Sequence, residues 1–148
     1  MTRNFTRPAL AAAFSALLFG SGAALAAATD LPAVQKSGTV EYINGGVGSG
    51  QAHAMEKAGA QWPLTIVYAE QTGKHGDFVA NVKTVIRDAK GEPVLSLDQT
   101  GPLVLANLEP GNYAVDATLG GKTLQRKVQV KKGQSARIEM LWPQGTTQ

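Results

Sequence analysis

The chain has 148 residues, a formal net charge of +3 and no cysteine, which excludes disulfides, thiolate catalysis and cysteine-based zinc sites together. The densest basic stretch, Lys122 to Lys132, alternates with apolar residues as a strand does. It therefore reads as a solvated face, and nucleic acid is excluded as a partner.

Arg3 and Arg7 precede an apolar, alanine-rich run from Ala9 to Phe19, followed by the small residues Gly20 to Ala23. This is the three-part order of a secretory signal, with an apolar core too short for a membrane span. Two overlapping small-x-small sites, Ala24-Leu25-Ala26 and Ala26-Ala27-Ala28, place cleavage after Ala26 or after Ala28. The segment 1–28 is thus expected to be removed, giving a periplasmic or secreted product. No acylated cysteine and no second apolar run predict a membrane anchor. Without Arg3 and Arg7, 12 basic residues stand against 11 acidic ones, so the remaining chain is nearly neutral.

From 29 to 61 the composition loosens, with Gly45, Gly46, Gly48 and Gly50 close together and one short apolar piece at Val40 to Ile43. This predicts a flexible leader, in which Ser49 can cap a short helix over 49–60 that is weakened by Gly50 and Gly59. After Trp62 the period becomes two. Leu64, Ile66 and Tyr68 share one face, and Phe78, Ala80, Val82, Thr84 and Ile86 form the inward face of a second strand beyond a turn at Gln71 to His75.

Asp88 to Gly91 has turn chemistry, and short strands are expected at Val94 to Leu97 and Leu103 to Leu108, with a turn at Asp98 to Pro102 between them. Glu109-Pro110-Gly111-Asn112 turns again. Tyr113 to Leu119 and Lys122 to Val130 read as a hairpin closed by Gly120-Gly121, which sets Ala117 opposite Leu124, Val115 opposite Arg126 and Tyr113 opposite Val128. A last strand puts Ala136, Ile138, Met140 and Trp142 on one face and is stopped by Pro143, leaving 144–148 as a disordered tail. Seven short strands between frequent turns argue for an all-β, antiparallel, Ig-like sandwich over 62–143.

Leu108-Glu109-Pro110-Gly111-Asn112-Tyr113-Ala114-Val115 resembles the L-x-P-G-x-Y-x-V segment of carboxypeptidase regulatory-like domains and their transthyretin-like relatives. Val82 to Val94, with Asp88-Ala89-Lys90-Gly91-Glu92-Pro93-Val94, is similar to the V-x-V-D-x-x-G-x-P-V stretch of the same group. The resemblance covers about Trp62 to Trp142. It implies a seven-stranded, transthyretin-like sandwich without chemistry of its own. The chain is also similar to short exported proteobacterial proteins that carry a Gly-Gly segment like Gly45-Gly46 before the domain.

The candidate site residues are few. Gly46 and Gly48 lie in a glycine run that lacks the Lys of a phosphate-cradling loop, so a linker is the simpler reading. His53 and His75 lack the spacing of a metal pair, and no metal or cofactor is expected. Ser49 has no partner base. Trp62, with Tyr68 and Trp142, offers either a sugar-stacking platform or buried core. The Tyr-Arg-Gly-Ser terminus of transthyretin-related hydrolases is not matched by the Trp142 to Gln148 end. The expectation is therefore a non-catalytic accessory protein whose partner is an envelope protein or a glycan, with a carbohydrate or envelope-polymer module as alternative and a transthyretin-like hydrolase as a distant third.

Overall fold

The computed structural model describes residues 30–148; the segment read as a signal lies outside them. The described chain is mostly β, with two sheets and one helix. Its strands are β1 (Gln35–Ser37), β2 (Val40–Gly45), β3 (Leu64–Thr72), β4 (His75–Phe78), β5 (Val82–Arg87), β6 (Pro93–Thr100), β7 (Leu103–Asn107), β8 (Gly111–Leu119), β9 (Lys122–Val130) and β10 (Ala136–Trp142). Helix α1 (Ser49–Ala58) continues into a 3₁₀ turn, Gly59–Gln61.

One sheet runs β1-β2-β7-β3-β10, with β4 hydrogen-bonded to the far half of β3; the other runs β6-β5-β8-β9. Both sheets point alternate side chains into a shared core, Leu64, Ile66, Tyr68, Val104, Met140 and Trp142 from the first and Val82, Ile86, Leu95, Val115, Ala117 and Leu119 from the second. Each large side chain fully buried there contributes about 1.5–3 kcal/mol. The arrangement is sandwich-like. Tyr68 stacks on Trp142 with ring centroids 6.3 Å apart, and its hydroxyl shares a hydrogen bond of 2.7 Å with that of Thr84. Burial pushes the Tyr68 phenol well above its ordinary range.

Because β3 is central, its second face is buried too. Val67, with Ile43, Leu103 and Leu105, packs under Ala52 and Met55 of α1 in a second cluster on the outer face of the sheet. The glycine-rich leader is accordingly not flexible: β1, β2 and α1 are integral parts of the fold. Ten strands, not seven, result. The seven expected from periodicity are β3 and β5 to β10, and β1, β2 and β4 are added to them.

Further corrections follow from packing. The sandwich is not wholly antiparallel, because β10 pairs with β3 in parallel, Ala136 opposite Leu64 through Trp142 opposite Glu70. The expected strand from Phe78 to Ile86 is broken at Asn81, whose φ is 60°, and the chain crosses there between sheets. Phe78 is consequently exposed, not inward. Strand β6 runs through Thr100 where a turn from Asp98 was expected. The cap of α1 is Gly48, with Ser49 the first helical residue.

Elsewhere local chemistry agrees with sequence. The β8–β9 register is the expected one, Ala117 with Leu124, Val115 with Arg126 and Tyr113 with Val128, around two glycines with positive φ, 54° and 79°. Asp88 Oδ1 accepts from the N–H groups of Lys90 and Glu92 at 2.9 and 3.0 Å, closing the turn after β5. The Tyr113 hydroxyl donates to the Glu109 carbonyl at 2.7 Å, which ties the Pro110-Gly111 turn to β8.

The last residues are ordered as well, contrary to the expected disordered tail. Gly145 and Thr146 donate their backbone N–H groups to Glu70 Oε1 at 2.7 and 3.0 Å, and the Thr147 hydroxyl donates to Oε2. Both Glu70 and Thr146 are only 7% exposed.

Candidate functional site

Strand β2 ends at Gly45, opposite Leu103 of β7, because the next residue adopts a backbone that side chains resist. Gly46 has φ 94°, and a Cβ there would stand 2.6 Å from Leu103 Cδ1. The chain lifts off the sheet at this point and crosses to α1. Gln51, in the first turn of α1, holds the crossing: its Oε1 accepts from the N–H groups of Gly46 and Val47 at 2.8 and 3.1 Å. Gly48, φ 84°, then turns into the helix, and its carbonyl takes the first helical bond from Ala52 at 3.0 Å.

Two sheet-to-sheet crossings form the opposite wall. After β4, Val79 N–H donates to the Tyr68 carbonyl at 3.1 Å and Asn81 N–H to that of Thr100 at 2.8 Å. After β6, Gly101 N–H donates to Asn44 Oδ1 at 2.7 Å, while Asn44 Nδ2 donates to the Gln99 carbonyl at 3.0 Å. The backbones approach so closely that a Cβ on Gly101 would lie 2.3 Å from the Gly45 carbonyl oxygen. Asn44 therefore clamps the end of β2 to the β6–β7 crossing.

Between these walls lies a pocket of about 520 Å³ lined by Gly46 to Ser49, Ala52, Phe78, Ala80 and Pro102. No titratable side chain lines it. Val47 is 70% exposed and Phe78 47%, and they are two of only four large apolar residues exposed in the described chain. The corner offers dispersion contact and water exclusion to an apolar group, and its one hydroxyl, that of Ser49, has no acid or base beside it among the lining residues.

The sequence candidates thus separate. Gly46 and Gly48 shape the corner. His53 is exposed on α1, one residue beyond Ala52, and does not line it. Trp62 lies past the other end of the helix, half-buried against the outer cluster, where it borders a more polar cleft of about 590 Å³ with Gln61, Glu109, Lys131, Lys132 and Ser135. Tyr68 and Trp142 are wholly buried and belong to the core. Val47, Ala52, Phe78, Ala80 and Pro102 were missed as site residues. The only sequence signal for Phe78 and Ala80 is the Asn81 break, and asparagine tolerates positive φ without announcing it.

No family model matches the sequence, and no curated protein is similar to it.

Proposed function

We propose that this chain is the precursor of an exported, non-catalytic envelope protein whose domain, seven core strands of the carboxypeptidase regulatory-like type with β1, β2 and β4 added, binds a protein partner at the apolar corner. The export reading rests on the Arg3, Arg7, apolar-run and Ala-x-Ala order of the first 28 residues. The family reading rests on the Leu108 to Val115 and Val82 to Val94 motifs, and the Tyr113 to Glu109 bond gives the first of them a physical role.

The observation that carries the binding reading is the pairing of Val47 and Phe78 across a pocket without titratable groups. Exposed apolar side chains grouped around a concavity favour a partner that brings apolar side chains of its own. A glycan reading is favoured instead by the cleft at the other end, where Trp62 stands near Lys131, Lys132 and Glu109. An aromatic among polar and charged groups suits an anionic sugar.

In cells of the source type, a photo-crosslinking residue at position 47 or 78 is expected to trap a discrete envelope protein from the periplasmic fraction, and the same residue at exposed Thr123 none. Recovery of the protein in the cytosol with Met1 to Phe19 retained refutes export. Glycan-array binding abolished by Trp62→Ala, with no crosslink at the corner, replaces the first reading with the second.

A further inference from the structure

We infer that the partner enters the corner as an extended segment that adds a strand to the β1-β2-β7-β3-β10 sheet along the open edge of β4, an inference that rests on the corner being the binding site. The argument is topological. Strands β7 and β4 both lie on the side of β3 opposite β10, β7 against Leu64 to Val67 and β4 against Ala69 to Thr72, so β4 continues the lane of β7. Beyond β7 the next lane belongs to β2, and β2 stops at Gly45 where Gly46 lifts the chain away. The stretch of that lane beside β4 holds no strand among the described residues, and β4 pairs with β3 alone.

The edge left open has unmet hydrogen-bonding capacity. Val79 N–H bonds the Tyr68 carbonyl, so by antiparallel alternation residues 75 and 77 direct their backbone groups to β3, and Gly76 and Phe78 direct theirs into the vacant lane. Register also fixes the side chains. Phe78 stands opposite Ala69, and Ala69 opposite Leu141, all on the outer face, forming an apolar row across three strands whose ends are exposed. The pocket beside Val47, Ala80 and Pro102 opens at the end of this row. Main-chain donors and acceptors call for an extended peptide, and the pocket selects for an apolar residue within it at the alternate spacing of a strand. Neither a free sugar nor a helix satisfies both.

The test selects a phage-displayed dodecapeptide library on the immobilised mature chain and measures the enriched peptides in solution. Peptides with apolar residues at alternate positions are expected, and binding protects the amide protons of Gly76 and Phe78 from exchange. Gly76→Pro, which removes an outward N–H and no internal bond, should weaken binding about tenfold or more while the melting temperature holds. Should that variant melt early, the amide protection in the unaltered protein decides alone. Unprotected Gly76 and Phe78 amides, or peptides without alternation, overturn strand addition. Binding lost in Val47→Asp with those amides unprotected keeps the corner as the site and removes only the added strand. A concentration-dependent dimer abolished by Gly76→Pro makes a second copy the occupant and overturns the inference.

Discussion

Gly101 and Gly121 both lie in two-residue connections between strands, yet their substitution costs arise differently. A Cβ on Gly101 meets the backbone carbonyl of Gly45, which no rotamer can move. At Gly121 a Cβ meets nothing within 4 Å, and the only cost is the positive φ of 79°. Gly101→Ala is therefore expected to destabilise by about 1–3 kcal/mol and Gly121→Ala by about 1 kcal/mol, measured by urea unfolding. The reverse order contradicts the Asn44 clamp. Only one of these needs was legible in sequence. Gly120-Gly121 sits between two alternating runs and declares a primed hairpin locally, whereas Gly101 answers to a strand end far away in the chain.

Among the elements, the C-terminal tail shows how a polar segment becomes structured. Glu70 lies on the inward face of β3 with Tyr68, but near the strand's end, where the tail folds back to meet it. The Thr147 hydroxyl bond and the N–H groups of Gly145 and Thr146 hold its carboxyl below the usual range, against the opposing effect of burial. The Thr146 carbonyl in turn lies over Gly120, leaving no room for a Cβ there.

A depressed folded-state pKa contributes stability that is present above the unfolded-state value and lost as pH falls through the folded one. Acid should thus loosen the tail. Carboxypeptidase trimming of the last four residues should be slow at neutral pH and fast in acid, and Glu70→Gln should make it fast at both. Trimming at one rate under all conditions removes the clasp. The four polar residues and one glycine after Pro143 offered no hint of this order. The one available sign was a carboxylate at an inward position of β3, directly after an apolar run that is buried on both faces.

Across the whole molecule, the apolar pattern was enough for β3 and β5 to β10, because β3 and β7 are apolar runs buried on both faces and the others carry their own alternation. It failed for β1, β2 and β4, which are short, glycine-bearing or exposed and owe their order to neighbours. Val40 to Gly45 becomes a strand because Leu103 to Asn107 lies beside it and α1 covers Ile43. The same failure hid the candidate site. Gly46 and Gly48 were visible as a glycine run, but the pocket exists only where that run meets Phe78, Ala80 and Pro102 from two separate crossings. Two further substitutions separate folding from binding at this corner. Val47→Asp and Phe78→Asp, at exposed positions, should each shift stability by no more than about 0.5 kcal/mol while abolishing the crosslinked product. A large loss of stability would make the pair structural.

The most direct test of the corner as the binding site is amide-shift mapping of the labelled mature protein titrated with an enriched peptide or with the crosslinked partner. Shifts are predicted to concentrate at Gly46 to Ser49 and Gly76 to Ala80. Shifts concentrated at Trp62 and at Lys131 to Ser135, with Val47 and Phe78 unmoved, would contradict it.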